Sequence, residues 1–419
     1  MAEGRSRPAW AEIDLAAIRH NTSLLCRVAA PSALCAVVKA DAYGHGAAVV
    51  GPAAVEGGAA RLAVALVEEG VELREAGVTQ PILLLSEPPA DATDSVVAAG
   101  LTPTLTTVEG VTRMADAARR LGRRLPVHVK VDTGMHRVGA EPSVVPSLTE
   151  AIAGAPELAL EGLWTHLAVA DGQSEEDREF TSAQLDRFDQ VVAVLAERGT
   201  LPALLHAANS AGTVAWPRAR YDLVRCGITV YGQLPSASLA PVLAEATGGG
   251  VLRPALALRA RVSAVRTLAS GERPSYGRLR PLSGRSLVAT VPIGYADGVP
   301  RALFDAGFHV LIGGRRRPLA GMVTMDQIVV DCGDDHSVAP GDEVTLLGRQ
   351  GDEEITATEW AELLGTISYE VLCGIGPRVP RVVEGAASPE WGSRPGPGRS
   401  SVRGGARPSG RTAGAGGAR

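Results

Sequence analysis

Paired cysteines are missing from this chain. Its five cysteines, Cys26, Cys35, Cys226, Cys332 and Cys373, are scattered, odd in number and nowhere spaced as C-x-x-C. That pattern argues against a disulfide framework and against a zinc knuckle, and leaves buried free thiols as the reading; no metal site is expected. Long apolar runs are missing too. No uncharged apolar stretch reaches the ~18 residues a membrane helix needs, and the opening MAEGRSRPAW has no apolar core of a signal peptide, so no membrane partner and a cytoplasmic location are expected. Acid is missing from one end. The net charge is -5, yet residues 393–419 carry six arginines (Arg394, Arg399, Arg403, Arg407, Arg411, Arg419) without one aspartate or glutamate.

That tail has one aliphatic side chain larger than alanine, Val402, and cannot bury enough surface to offset its ordering entropy. Residues 385–419 are therefore expected to be disordered. Spaced arginines with no aromatic residue or folded platform among them imply no specific nucleic-acid partner. The remainder is of ordinary soluble composition, 45% hydrophobic and 21% charged, and long enough for two domains.

Over residues 14–240 short apolar runs alternate with longer amphipathic ones. Strands are predicted at 33–38, 61–65, 81–85, 126–131, 158–166 and 223–231, with helices such as 15–28 and 176–198 between them. Alternation of this kind implies a parallel sheet, and so many repeats favour a closed β/α barrel, whose chemistry belongs at the carboxyl ends of its strands. In PVHVKVDTG, Val127, Val129 and Val131 alternate with His128, Lys130 and Asp132. The valines suit packing on helices, and the polar set would point into the barrel, where it needs partners. After a soft connector near 235–250 the period changes. Residues 256–265, 286–291, 308–312, 328–330 and 343–347 read as strands separated by turns, with one helix at 356–364, giving a mainly β domain over 245–384 that residues 9–13 could join as an extra strand.

AVVKADAYGHG, residues 36–46, places Lys39 directly after an apolar strand, where burial of an ammonium is penalised. With VDTGMHRVG, THLA, ANS, VRCGITVYG, PSYG, VPIGYADG, MDQ and SYEVLC following in order, it closely resembles the alanine racemase family. The resemblance implies a (β/α)8 TIM-like barrel followed by a mainly β domain, pyridoxal 5'-phosphate as cofactor, a homodimer whose active sites are shared across the interface, and interconversion of L-alanine and D-alanine, the latter a peptidoglycan precursor. Lys39 would carry the cofactor as a Schiff base and serve as one base; Tyr276 of the partner subunit would be the other.

By the same resemblance Tyr43, Ser210, Gly227, Ile228 and Tyr369 bind the cofactor phosphate, Arg225 faces the pyridine nitrogen, and His166 bridges Arg225 and the catalytic tyrosine, providing with it a cationic setting that lowers the tyrosine pKa. Ser210 also suits an ordinary helix cap. Arg137 would contact the cofactor phenolic oxygen and the substrate carboxylate, Lys130 matches a lysine that some members carry as a carbamate and others as the free amine, and Met325, Asp326 and Tyr295 would line the substrate entrance. Two other functions fit parts of the pattern. A related barrel decarboxylase pairs the pyridine nitrogen with an acid, which Arg225 is not, and a non-catalytic pyridoxal-phosphate homeostasis protein lacks the β domain and the PSYG tyrosine.

Overall fold

The computed structural model describes residues 8–384; the basic tail expected to be disordered lies outside the described residues. Ala9–Ile13 forms β1, and the chain then enters a parallel barrel through β2 (Ala33–Val37), β3 (Arg61–Val64), β4 (Ile82–Leu84), β5 (Thr104–Leu105), β6 (Leu125–Lys130), β7 (Leu158–Trp164), β8 (Leu204–His206) and β9 (Leu223–Cys226). Two four-stranded arcs, β4-β3-β2-β9 and β5-β6-β7-β8, make up the wall. A bridge between Leu83 and Thr102 joins them on one side. On the other the Arg225 amide donates to Ala208 carbonyl at 2.9 Å and the Asp222 amide to Leu205 carbonyl at 3.0 Å, so the cylinder closes.

Helices cover the outside for legible reasons. Asp14 caps Leu15–Ala29 by accepting from the Ala17 amide at 2.9 Å, and this helix buries Ala17, Ile18, Leu25 and Val28. Ser174 and Asp177 form a reciprocal capping box at the start of Glu175–Glu197. In β6 the valine face is fully buried, while His128 and Lys130 turn inward with 0% and 4% exposure.

The second layer is antiparallel. β10 (Leu256–Arg261), β11 (Ala264–Leu268), β12 (Ser286–Val291), β13 (His309–Ile312), β14 (Arg315–Pro318), β15 (Ile328–Asp331), β16 (Glu343–Gln350), β17 (Glu353–Ile355) and β18 (Arg381–Val383) divide into a sheet of order β14-β13-β16-β10-β1-β18, with β17 on β16, and a smaller sheet β11-β12-β15. β1 pairs antiparallel with β10 and parallel with β18, so the first described strand lies between the first strand of the β domain and the last described one.

Three strand expectations are corrected. The run at 223–231 stops at Cys226, because Gly227 turns the backbone out of the sheet (φ -106°, ψ -95°) and Ile228–Tyr231 coils into a 3-10 turn. The run at 158–166 ends at Trp164. The run at 256–265 is broken at Val262 and Ser263 into β10 and β11, which lie in different sheets. Strands β5 and β8, of two and three residues, escape a periodicity reading because they are shorter than a period-2 pattern needs.

Candidate active site

Lys39 follows β2 at the carboxyl end of the barrel wall, half-buried. The backbone after it is unusual. Ala40, Asp41, Ala42 and Tyr43 have φ of 50–55° and ψ of 38–50°, one left-handed turn built from four residues with side chains. A left-handed helical residue costs ~1–2 kcal/mol, so the surroundings must hold the turn. Glu69 accepts from the Ala40 amide at 2.6 Å and from the Ala65 and Leu66 amides at 2.9 and 3.0 Å. Asp41 accepts from the Ala47 amide at 2.7 Å. At the far end Arg381 of β18 donates to Gly44 carbonyl at 2.9 Å while its other nitrogens hold the carbonyls of Ile375, Gly376 and Val379. Gly44 has φ +81°, and a Cβ there would lie 2.7 Å from the Leu372 carbonyl oxygen, so only glycine fits. Glu69 and Arg381 belong to no motif read from the sequence; their roles depend on contacts across the fold.

Cations converge around Lys39. Burial, then the Arg137 charge, hold its ammonium below the ordinary lysine value. Lys130, at the end of β6, is brought down to about 8 by burial and by Arg225, Arg137 and Lys39. Lys130 Nζ sits 4.6 Å from the Trp164 ring centre, and the Arg225 guanidinium 4.5 Å from the same ring. Trp164, which sequence reasoning missed, thus braces both cations. Arg225 is 2% exposed and donates to the carbonyls of Thr165 and Ala207 at 2.8 and 3.0 Å, to His206 Nδ1 at 2.8 Å and to His166 Nδ1 at 3.3 Å. Burial and the surrounding cations keep His166 well below the usual histidine value, so its imidazole is neutral and its Nε2 carries the proton.

A second corner gathers hydroxyls. Asn209, not Ser210, caps the helix Ser210–Ala215 by accepting from the Gly212 amide at 2.9 Å, which leaves Ser210 Oγ free to accept from the Gly227 amide at 3.0 Å and the Thr229 hydroxyl at 3.1 Å. A Cβ on Gly227 would lie 2.3 Å from the Tyr43 hydroxyl, so the absence of a side chain there opens the corner to the Tyr43 ring. Tyr43 and Tyr369 rings stand 6.1 Å apart, and burial raises both phenols, keeping them protonated donors. Ile228 follows at the start of the 3-10 turn.

The structure therefore brings Lys39, Lys130, Arg137, Arg225 and His166 into one charged cluster, and Tyr43, Ser210, Gly227, Ile228 and Tyr369 toward another corner. The entrance candidates form a separate group on the β domain. The Tyr295 amide donates to Thr324 carbonyl at 3.0 Å, the Ala296 amide to Met325 carbonyl at 3.1 Å, and Arg378 to Asp326 at 2.6 Å. Tyr276, Tyr295 and Met325 are 74%, 44% and 53% exposed, and among the described residues no hydrogen bond or ring contact joins Tyr276 to the Lys39 cluster. A cleft of about 880 Å3 opens elsewhere, lined among others by Glu12, Arg259 and Thr366; converging charge rather than volume marks the site.

Residues 13–235 match the family profile for the alanine racemase N-terminal domain, and residues 255–383 that for its C-terminal domain. The chain belongs to the alanine racemase family. It is 47% identical over 380 residues to the alanine racemase of Symbiobacterium thermophilum, covering 90% of this chain and 98% of that one. The alanine racemase of Carboxydothermus hydrogenoformans is 43% identical over 376 residues, with 90% and 99% covered. Among solved structures, alanine racemase from Bacillus anthracis with bound L-Ala-P superposes with a TM-score of 0.83 at 37% identity, covering 91% of this chain and 96% of that one. The enzyme from D-cycloserine-producing Streptomyces lavendulae gives 0.83 at 38% identity, covering 91% and 98%. The barrel followed by a mainly β domain is thus the fold of the family, as the sequence motifs imply.

Proposed function

We propose that this chain interconverts L-alanine and D-alanine with pyridoxal 5'-phosphate carried on Lys39. The observation that carries the reading is the placement of a lysine with a depressed pKa at a barrel strand end, within a cationic cluster, together with a corner of hydroxyls that a glycine keeps open. These residues fit the cofactor: an anionic phosphate suits the Tyr43, Ser210 and Tyr369 hydroxyls and the Ile228 amide, beside Gly227, whose own amide holds Ser210 Oγ in the corner, and an aldehyde suits the Lys39 amine. When bound, the cofactor supplies a conjugated ring that acidifies the α-C–H of the amino acid joined to it.

The protein's part is to hold and move one proton. The Lys39 amine, held toward its neutral form, removes or returns the α-proton on one face. The partner subunit's Tyr276 serves the other face, a role that suits a tyrosine left exposed on its own chain. His166 bridges Arg225 and that phenol: its imidazole is neutral, so it offers an Nε2–H to the tyrosine oxygen while Arg225 supplies the charge behind it. Among the described residues Arg225 has no carboxylate hydrogen-bond partner; it would donate to the ring nitrogen and leave the ring a weak electron sink, which suits return of the proton to the α-carbon over its addition to the cofactor. That choice disfavours the decarboxylase alternative.

Arg137 binds the substrate carboxylate and the cofactor phenolic oxygen. Lys130, lowered to about 8, has enough free amine to attack carbon dioxide, and the carbamate so formed would set a negative group beside Arg137. Met325, Asp326 and Tyr295 form the entrance, supplied to the partner's site in a homodimer. The barrel domain spans 14–240 and the β domain 245–384. The enzyme acts in the cytoplasm and feeds D-alanine to peptidoglycan precursors; among the described residues no helix is long and apolar enough to cross a membrane. The test is racemisation of purified protein followed from L- and from D-alanine by chiral chromatography, alongside its visible spectrum. Formation of the opposite enantiomer from each, with absorbance from bound cofactor, is the expected result; no racemisation by cofactor-loaded protein would refute the reading.

A further inference from the structure

From Arg225, five side chains counting Arg225 itself form one hydrogen-bonded row through the barrel. Arg225 Nη1 lies 2.8 Å from His206 Nδ1, His206 Nε2 lies 2.9 Å from His128 Nδ1, and His128 Nε2 lies 3.0 Å from Glu161. Both Glu161 oxygens then accept from Arg61, at 2.7 and 2.8 Å. The histidines are 0% exposed, whereas the Arg61 and Glu161 side chains are 13% and 28% exposed, so the row runs from the buried guanidinium to solvent near the amino end of β3.

The row has a single direction. A guanidinium only donates and a carboxylate only accepts, and burial keeps both imidazoles neutral. Each histidine therefore carries its one proton on Nε2 and accepts on Nδ1. The backbone is shaped for this arrangement. Between β6 and β7 the register passes from Val127 opposite Leu160 to His128 opposite Gly162, leaving Glu161 as the extra residue of a bulge, a device that re-aims a side chain. A Cβ on Gly162 would fall 2.5 Å from the His128 ring, so the glycine makes room for the imidazole.

Charge explains why the histidines lead to an acid. Among the described residues no carboxylate hydrogen-bonds to Arg225, and a buried cation without a counter-charge is strongly disfavoured. One proton could move at each link, from Arg225 to His206, from His206 to His128 and from His128 to Glu161, leaving a neutral guanidine and a carboxylic acid. Burial alone would raise the Glu161 carboxyl, but the hydrogen bonds from His128 and Arg61 bring it down to about 2, which opposes that transfer.

We propose that Glu161 is a positioning residue for the reaction: gripped by Arg61 and acting through His128 and His206, it is the remote counter-charge that keeps Arg225 a fixed, protonated donor. The inference rests on the reading of Arg225 given above. Glu161→Gln is the deciding variant, because the amide oxygen can still accept from His128 while the charge is gone. In cofactor-loaded protein its kcat for alanine should fall roughly tenfold with KM changed less than about threefold. Pyridoxamine formed per racemisation should rise several-fold, since an Arg225 whose row has lost its anchoring charge is held less firmly toward the ring nitrogen and guards less well against addition of the withdrawn proton to the cofactor, after which water releases pyruvate. Arg61→Gln, which loosens the same carboxylate, should move both readouts in the same direction.

Independently of activity, 15N-labelled histidine in the unsubstituted protein should show unprotonated Nδ1 atoms for His128 and His206. A protonated Nδ1 at either would overturn the row. If the parent racemises alanine and Glu161→Gln matches it within twofold in kcat and pyridoxamine yield, this inference fails while the proposed function stands. If the cofactor-loaded parent does not racemise alanine, both fall.

Discussion

At the scale of single residues, the chemistry depends on side chains whose ordinary ionisation has been moved. Lys39 is the clearest case, because an ammonium at its usual pKa is a poor nucleophile and a poor base. Burial and the Arg137 charge both work against the ammonium, and the Glu69 carboxylate works weakly for it. Lys39→Ala should therefore lose racemisation and all borohydride-reducible cofactor together. Lys130 is the other lysine of the cluster, but it lies over Trp164 at the end of β6 and should not substitute for Lys39. Reduction with borohydride followed by peptide mapping checks this, and cofactor fixed to the variant at another lysine would refute the assignment.

At the scale of elements, the segment that matters most is the left-handed turn from Ala40 to Tyr43. Four non-glycine residues in that region are tolerated because Glu69, Asp41 and Arg381 hold the turn at its start, middle and end. Ala40 is exposed, and an exposed substitution ordinarily changes stability by within ~0.5 kcal/mol. Here Ala40→Val should cost ~1–2 kcal/mol or more, because a β-branched side chain is more crowded still at positive φ. The urea midpoint and the rate of cofactor release should both report it. An unchanged midpoint would mean that the turn is not strained in solution.

At the scale of the whole molecule, two properties follow from how the layers are assembled. His45, His128, His166 and His206 are held neutral, mainly by burial, with His45 brought to about 4. A histidine whose folded pKa lies below its unfolded value binds its proton preferentially in the unfolded chain, so stability rises with pH in that window and falls on acidification. Between pH 6.5 and about 4 His45 removes up to ~1.4 kcal/mol per pH unit, and the other three act in the same direction below pH 6.5. Urea midpoints should drop steeply from pH 7 to pH 5, and His45→Gln should flatten that slope if it folds as the parent does. The second property is the shared site. Lys39→Ala and Tyr276→Phe chains should each be nearly inactive alone, whereas refolding them together should restore up to about half the parental activity per heterodimer, because one site then receives both native bases. Confirmed heterodimers without recovered activity would place both bases on one chain.

Much of this was legible in the sequence because it depends on local order. Alternating apolar runs specify strands and helices, the valine face of β6 specifies which side chains turn inward, and AVVKADAYGHG specifies a lysine directly after a buried strand. The resemblance carried by the ordered motifs then points to the residues of the charged cluster. What only the tertiary structure decided concerns contacts between distant segments and departures from the period. Asn209 rather than Ser210 became the helix cap because the Gly227 amide, seventeen residues on, claims the serine oxygen. The run at 256–265 became two strands because its halves join different sheets. Arg381 holds a turn 337 residues earlier, and the bulge at Glu161 converts a polar strand residue into the end of a buried row. Periodicity encodes which face of an element is buried, but it has no means of encoding which partner a buried polar group will find once the elements have packed.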